Sequence, residues 1–181
     1  MKKIRVYLRS LEPEDAPLMY KWRQREEIGV FYSGTKRFTS EYAEGLWLNE
    51  RALNRETVNC AICIKDTNEF IGCVFMDNID WIHRSAHCPT FIGESSQWGK
   101  GYATDARVLM LKHAFHDKGM ERIWAKVHEQ NEGSLRMLEK CNFKREGIMR
   151  RASYMDGKFY DQILLSILRE EFEELLKSYE I

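Results

Sequence analysis

Apolar and polar positions alternate at the start of the chain, with Ile4, Val6 and Leu8 set against Arg5, Tyr7 and Arg9, which predicts a strand over residues 4–10. Pro13 then opens a helix to about Arg25, with Glu14 and Asp15 in the first turn, where carboxylates favour the helix dipole. Thr39 or Ser40 caps a second helix through Leu53. The stretch between, residues 26–38, holds Gly29, Phe31, Tyr32 and Gly34 and reads as a long connection. Residues 58–65 and 70–78 flank Asp66-Thr67-Asn68-Glu69, a hairpin signal, and 79–81 extends its second strand. Residues 86–92 form a strand that runs into a glycine-rich turn. Beyond that turn Ala103, Ala106, Met110 and Ala114 recur at helical spacing, widened by Val108, Leu111 and Phe115, so a helix over 102–118 must lie against a sheet until Gly119 stops it. A strand at 122–128 and a helix at 132–141 follow, the latter ending at Asn142, a residue that tolerates the left-handed conformation. Strands over 144–154 and 159–168 turn at Asp156-Gly157, and 170–179 closes as an acidic, peripheral helix.

Composition narrows the class. At 181 residues the chain is read as one domain, 1–181, able to bury about 70% of its unfolded surface. Lys plus Arg and Asp plus Glu both total 28, so no overall electrostatic footprint for nucleic acid exists. Met1-Lys2-Lys3 leads into an alternating strand rather than an apolar stretch, and no run approaches the roughly 18 apolar residues of a membrane span. A cytoplasmic protein with no membrane partner is the expectation, and a homo-oligomer is compatible with it. Five cysteines, an odd number, suit a reducing compartment. Cys60 and Cys63 lie three apart on a strand and point to opposite faces, so they read as packed thiols rather than a redox or zinc pair. His113 and His116 sit one helical turn apart without further ligands at a recognisable spacing, and no metal is expected.

The chemistry concentrates at Gln97-Trp98-Gly99-Lys100-Gly101-Tyr102-Ala103-Thr104, which joins a strand to a helix. Two glycines let backbone approach a ligand, and the unpaired N–H groups opening the helix offer donors and a positive dipole end to phosphate oxygens. The dinucleotide and P-loop fingerprints do not fit: Tyr102 stands where a third glycine would be sought, and no Gly-Lys-Ser/Thr closes the loop. The stretch instead resembles motif A of the GNAT acetyltransferase superfamily, Gln/Arg-x-x-Gly-x-Gly/Ala, falling on Trp98, Gly101 and Ala103. Trp98 in the first place resembles the branch of ribosomal-protein N-terminal acetyltransferases and bacterial diamine or spermidine N-acetyltransferases. The likeness runs on through Asn131-Glu132-Gly133-Ser134, Leu138 to Phe143, and Met155 to Asp161, and back to Tyr7-Leu8-Arg9, Glu12 to Asp15 and Lys21-Trp22-Arg23.

That resemblance implies an α/β domain with a mixed, mostly antiparallel sheet flanked by helices, whose strands splay at the glycine loop to admit the arm of acetyl-CoA. It implies cofactor contacts from Phe91, Ile92, Trp98, Gly99, Lys100, Gly101, Tyr102, Ala103, Thr104, Asn131 and Ser134. It also places Leu138 where many relatives carry a tyrosine acid, so that role does not transfer. For proton transfer the candidates are His87, on the strand before the loop, Glu94 at its end, and Tyr160 or Tyr154 as donors to the departing thiolate. Each has a plainer reading: a hydrogen-bonded strand histidine, a solvated carboxylate, and packed aromatics. The acceptor is expected to be a small diamine or polyamine, drawn by Glu26, Glu27, Glu41 and Asp77, with Trp22, Phe31 and Tyr32 as further substrate contacts. A protein N-terminus, an amino-sugar nucleotide, or a catalytically silent acyl-CoA-binding regulator remain open at this level.

Overall fold

Alternate residues of the first hairpin enter two different cores, so this part of the sheet is covered on both faces. Ile62, Ile64, Val74 and Met76 join one cluster, while Ala61, Cys63, Cys73 and Phe75 join the other. The computed structural model describes residues 1–28, 38–155 and 157–181. Its strands are β1 (Lys2–Lys3), β2 (Val6–Ser10), β3 (Val58–Ile64), β4 (Phe70–Asp80), β5 (Ser85–His87), β6 (Thr90–Ile92), β7 (Arg122–His128), β8 (Lys144–Met155), β9 (Lys158–Leu168) and β10 (Tyr179–Glu180). The helices are α1 (Ala16–Gln24), α2 (Glu41–Leu53), α3 (Tyr102–Lys112), α4 (Glu132–Lys140) and α5 (Arg169–Leu176).

An eight-stranded sheet runs β2-β3-β4-β5-β7-β9-β8, with β6 paired to β4. Every neighbouring pair in it is antiparallel except β5 with β7. The fold is thus the mixed, mostly antiparallel α/β domain expected. Helices α3, α4 and α5 supply Val108, Leu138 and Phe172 to the larger cluster, and α1 and α2 supply Met19, Trp22 and Leu48 to the smaller one on the opposite face. The caps follow ordinary chemistry: Ser40 Oγ accepts from the Ala43 N–H at 3.1 Å, and Asn142 takes φ +64° just beyond α4.

Three expectations need correction. The strand over 86–92 is broken, because Pro89 has no N–H to donate. The Cys88 N–H still reaches Trp124 O on β7 at 3.1 Å, but Pro89 O accepts from the Phe75 N–H on β4 at 2.9 Å, so the chain swings from one neighbour to the other. The helix after the loop is regular only to Lys112, and a widened turn at His113–Asp117 follows, with Lys118 N–H bonded to His113 O at 3.0 Å. The closing helix is not peripheral: Phe172 is fully buried against Phe115 at 5.3 Å, and Tyr179 belongs to β10, paired with Lys2.

The side chains questioned for metal or redox chemistry have other partners. His113 pairs with Asp117 at 2.7 Å and His116 with Glu173 at 2.8 Å, and no group of three or more candidate ligands gathers among the described residues. All five cysteines are free thiols, and burial pushes Cys60 up to about 11 and Cys141 to about 12, which favours the protonated thiol at those two. Among the described residues, no helix is long and apolar enough to cross a membrane.

Candidate active site

Because β6 follows β4 while β5 stays on β7, the sheet opens between β6 and β7. The opening is a cleft of about 1030 Å³. Ala125 and Val127 line it from one face of β7 and Lys126 and His128 from the other, so the cleft passes through the sheet and has two unlike mouths. One faces α3 and α4. The other lies on the side of α1 and α2.

The first mouth is built by the glycine loop. Gly99 and Gly101 adopt φ +75° and +89°, a region that side chains resist, and Gly101 is the N-cap of α3 with no side-chain cap bond. The first-turn N–H groups of α3 are therefore left for a ligand, and Gly101, Tyr102 and Ala103 line the cleft. The donor set, the dipole end and the open backbone fit a pyrophosphate. Nine of the eleven expected cofactor contacts line the cleft, Phe91, Ile92, Asn131 and Ser134 among them, whereas Lys100 and Thr104 do not. Lys100 Nζ turns to Gln97 Oε1 at 2.9 Å. Trp98 donates its indole N–H to Ile92 O at 2.8 Å, tying the loop to the end of β6. Asn131 both lines the cleft and caps α4, accepting from the Ser134 N–H at 3.0 Å.

Arg5 gives no local signal in the sequence, because it lies 95 residues from the loop carbonyl that it holds. Its Nη1 donates to Lys100 O at 2.9 Å, its Nε to Asp105 Oδ2 at 2.8 Å, and its guanidinium lies over the Tyr102 ring at 5.0 Å. It braces the loop and neutralises the one acidic side chain in the first turn of α3, where a carboxylate would oppose an anion. Replacing Arg5 with Ala is expected to raise the KM for acetyl-CoA about 10-fold, equivalent to about 1.4 kcal/mol, with little change in kcat. Steady-state kinetics at saturating amine checks this, and an unchanged KM would count against the brace.

At the second mouth His87 and Asp77 face each other across β5 and β4, with Nδ1 to Oδ1 at 2.8 Å. The imidazole lies against Trp124 at 4.5 Å between centroids, and His87 lines the cleft. Glu94 does not. Burial alone would raise its carboxyl, but the Ser96 N–H at 3.5 Å and Arg25 at 3.6 Å hold it below the usual carboxylate range, which weakens it as a base. Tyr160 packs on His128 at 4.8 Å and is not on the cleft wall, whereas Tyr154 is.

The expected substrate contacts fare unevenly. Trp22 is a core residue, fully buried between Phe70 and Phe91, and its ring would meet any Cβ added at Gly93. It offers no surface to a ligand. Asp77 is engaged by His87 and, at 3.8 Å, by Arg51. Phe31 and Tyr32 lie outside the described residues. Of the carboxylates named for a polycation, Glu27 lines the cleft. His128 and Gln162 also line it, and the signal that could have found them is register: they are partners across β7 and β9 at the end of the splay.

A mostly antiparallel sheet that splits beside a glycine loop defines the fold, and Leu138 lines the wall of the split. Residues 5–144 match the family model of the acetyltransferase (GNAT) domain. The probable N-acetyltransferase YjcK of Bacillus subtilis is 33% identical over 184 residues, covering 93% of this chain and 97% of that protein. The spermidine N(1)-acetyltransferase of Vibrio cholerae is 24% identical over 168 residues, covering 91% and 94%. A crystal structure of spermidine N-acetyltransferase from Vibrio cholerae, in complex with CoA and spermine, superposes with a TM-score of 0.85 at 21% identity, covering 93% of this chain and 98% of that one. The chain belongs to the GNAT acetyltransferase family.

Proposed function

We propose that this chain transfers the acetyl group of acetyl-CoA to a primary amine, with a small diamine or polyamine as its acceptor. The observation that carries the reading is the two-mouthed cleft, with uncapped amides of α3 at one end, His87 at the other and Glu27 on its wall. The glycine loop takes the pyrophosphate, and Asn131 and Ser134 line the path of the arm toward the split in the sheet. His87 takes the proton that an alkylammonium, with a pKa near 10.4, must lose before its nitrogen can attack. As the C–N bond forms and the C–S bond breaks, a second proton leaves the nitrogen for the thiolate, so each turnover releases one proton to solvent. A thiol with a pKa of order 8.5 is a fair leaving group, which makes Leu138 tolerable in place of a hydroxyl acid.

Support for a polyamine comes from the relationship to a protein named spermidine N(1)-acetyltransferase and from Glu27 on the wall, a carboxylate suited to the far ammonium of a di-cation. Thiol release measured with spermidine, putrescine, peptide N-termini and amino-sugar nucleotides tests the assignment. Spermidine or putrescine is expected to exceed the other two classes in kcat/KM by about 10-fold or more, the effect of one well-placed ion pair. Preference for a peptide or an amino sugar would overturn the polyamine reading. Cofactor binding without turnover on any amine would turn the protein into an acyl-CoA-binding regulator.

A further inference from the structure

Behind His87 a chain of polar contacts leads away from the cleft to α2. Asp77 Oδ1 meets His87 Nδ1 at 2.8 Å, and Asp77 Oδ2 faces Arg51 Nη2 at 3.8 Å. Arg51 is itself held on several sides. Its Nε donates to Asn59 Oδ1 at 2.7 Å, Asn59 Nδ2 donates back to Arg51 O at 3.0 Å, and the guanidinium lies over Phe75 at 4.8 Å and Trp47 at 5.2 Å. The three side chains are largely covered, with 14% of His87, 23% of Asp77 and 21% of Arg51 exposed. Strand register sets the geometry, since Asp77 is paired with His87 and His87 with Trp124 across β4, β5 and β7.

A neutral imidazole has one N–H and one lone pair, and its partner decides which nitrogen has which. An ionised carboxylate only accepts, so Asp77 requires the proton on Nδ1 and leaves the lone pair on Nε2. Among the described residues, the charged side chains around this ring are Asp77 from β4 and Arg51 from α2 behind it, with Lys126 of β7 and Glu27 on the cleft walls. The Trp124 face lies against the ring and favours a positive imidazole once it forms.

We propose that Asp77 is a positioning residue for proton transfer: its carboxylate, oriented by Arg51, holds His87 as the Nδ1–H tautomer and presents Nε2 to the amine. This rests on the reading of His87 as proton acceptor. It also moves Asp77 from a substrate contact, as its sequence position implied, to a support for the base. When Nε2 takes a proton from the ammonium, directly or through one water, the imidazolium has both N–H groups and its charge is matched by Asp77.

Nitrogen-15 NMR of histidine-labelled full-length chain, without substrate, reads the tautomer directly. The wild type is expected to show Nδ1–H at His87, and the isosteric Asp77→Asn variant to shift population toward Nε2–H, because an amide N–H can donate to Nδ1. In kinetics, Asp77→Asn should lower kcat about 100-fold with the KM for acetyl-CoA unchanged. The double variant Asp77→Asn with His87→Gln should be no slower than His87→Gln alone, since the aspartate acts only through the histidine. An unchanged tautomer in Asp77→Asn, or losses that multiply in the double variant, would overturn the proposal. A wild type that acetylates no amine would overturn the function above, while the tautomer measurement would still decide the role of Asp77.

Discussion

Replacing Gly101 by valine is expected to weaken acetyl-CoA binding about 100-fold, a loss of about 2.7 kcal/mol, and to depress kcat/KM by at least as much. Two costs combine. At φ +89° a β-branched residue is strained by about 1–3 kcal/mol, and a Cβ at this position sits 2.9 Å from Arg5 Nη2, pushing on the guanidinium that holds Lys100 O and Asp105. The valine either bends the loop away from its ligand geometry or displaces its brace. Gly99→Ala separates these effects, because a Cβ there meets nothing within 4 Å although φ is +75°. It should cost about 1 kcal/mol, roughly five-fold in affinity. Calorimetric titration with acetyl-CoA checks both variants, and thermal melting confirms that they fold. An unaltered Kd in Gly101→Val would remove the loop from the binding site.

His87→Gln is expected to lower kcat about 100- to 1000-fold near neutral pH while leaving the Kd for acetyl-CoA within about two-fold of wild type. The split follows from position: His87 stands on the α1 and α2 side of the sheet with Asp77, away from the glycine loop on the α3 side. The sign of the pH dependence also follows. In the wild type His87 offers a lone pair to the ammonium proton. The glutamine variant has no such acceptor and must wait for amine that is already neutral, so its deficit should shrink as pH rises toward the amine's own range near 10.4. A deficit of the same size at every pH would point to a packing role against Trp124. Unaltered kinetics would free His87 of any role in the proton's path.

How far the sequence alone reached can be judged at these two positions. Gly101 was legible because its requirement is local: two glycines between a strand and a helical stripe demand a positive-φ turn and an uncapped helix end, whatever surrounds them. The place of His87 on the strand before the loop was legible, but its partner was not. Asp77 lies ten residues earlier and became its neighbour only when β4 and β5 paired in register. Trp22 misled for the complementary reason: an amphipathic helix shows that one face is buried, but not that this indole reaches down to Phe70, Phe91 and the backbone of Gly93. The burial of the closing helix was not legible, because its eight charged and apolar positions do not disclose that Phe172 finds Phe115 on another helix's widened end.

The sequence by itself determined the order of the longer strands and helices, the two hairpins and the glycine loop, because each rests on backbone preferences and periodicities within about ten residues of chain. Family membership was legible for the same reason, since its motifs are runs of neighbouring residues. Only the tertiary structure decided that the strand before the loop breaks at Cys88–Pro89, that β6 and β7 part there to open the cleft, and which side chains meet around it. Those outcomes depend on competing hydrogen bonds from Phe75 and Trp124, residues brought together by the sheet across 49 positions of sequence. The contacts of Asp77 with His87 and of Arg5 with Lys100 likewise come from the tertiary fold and from no local signal.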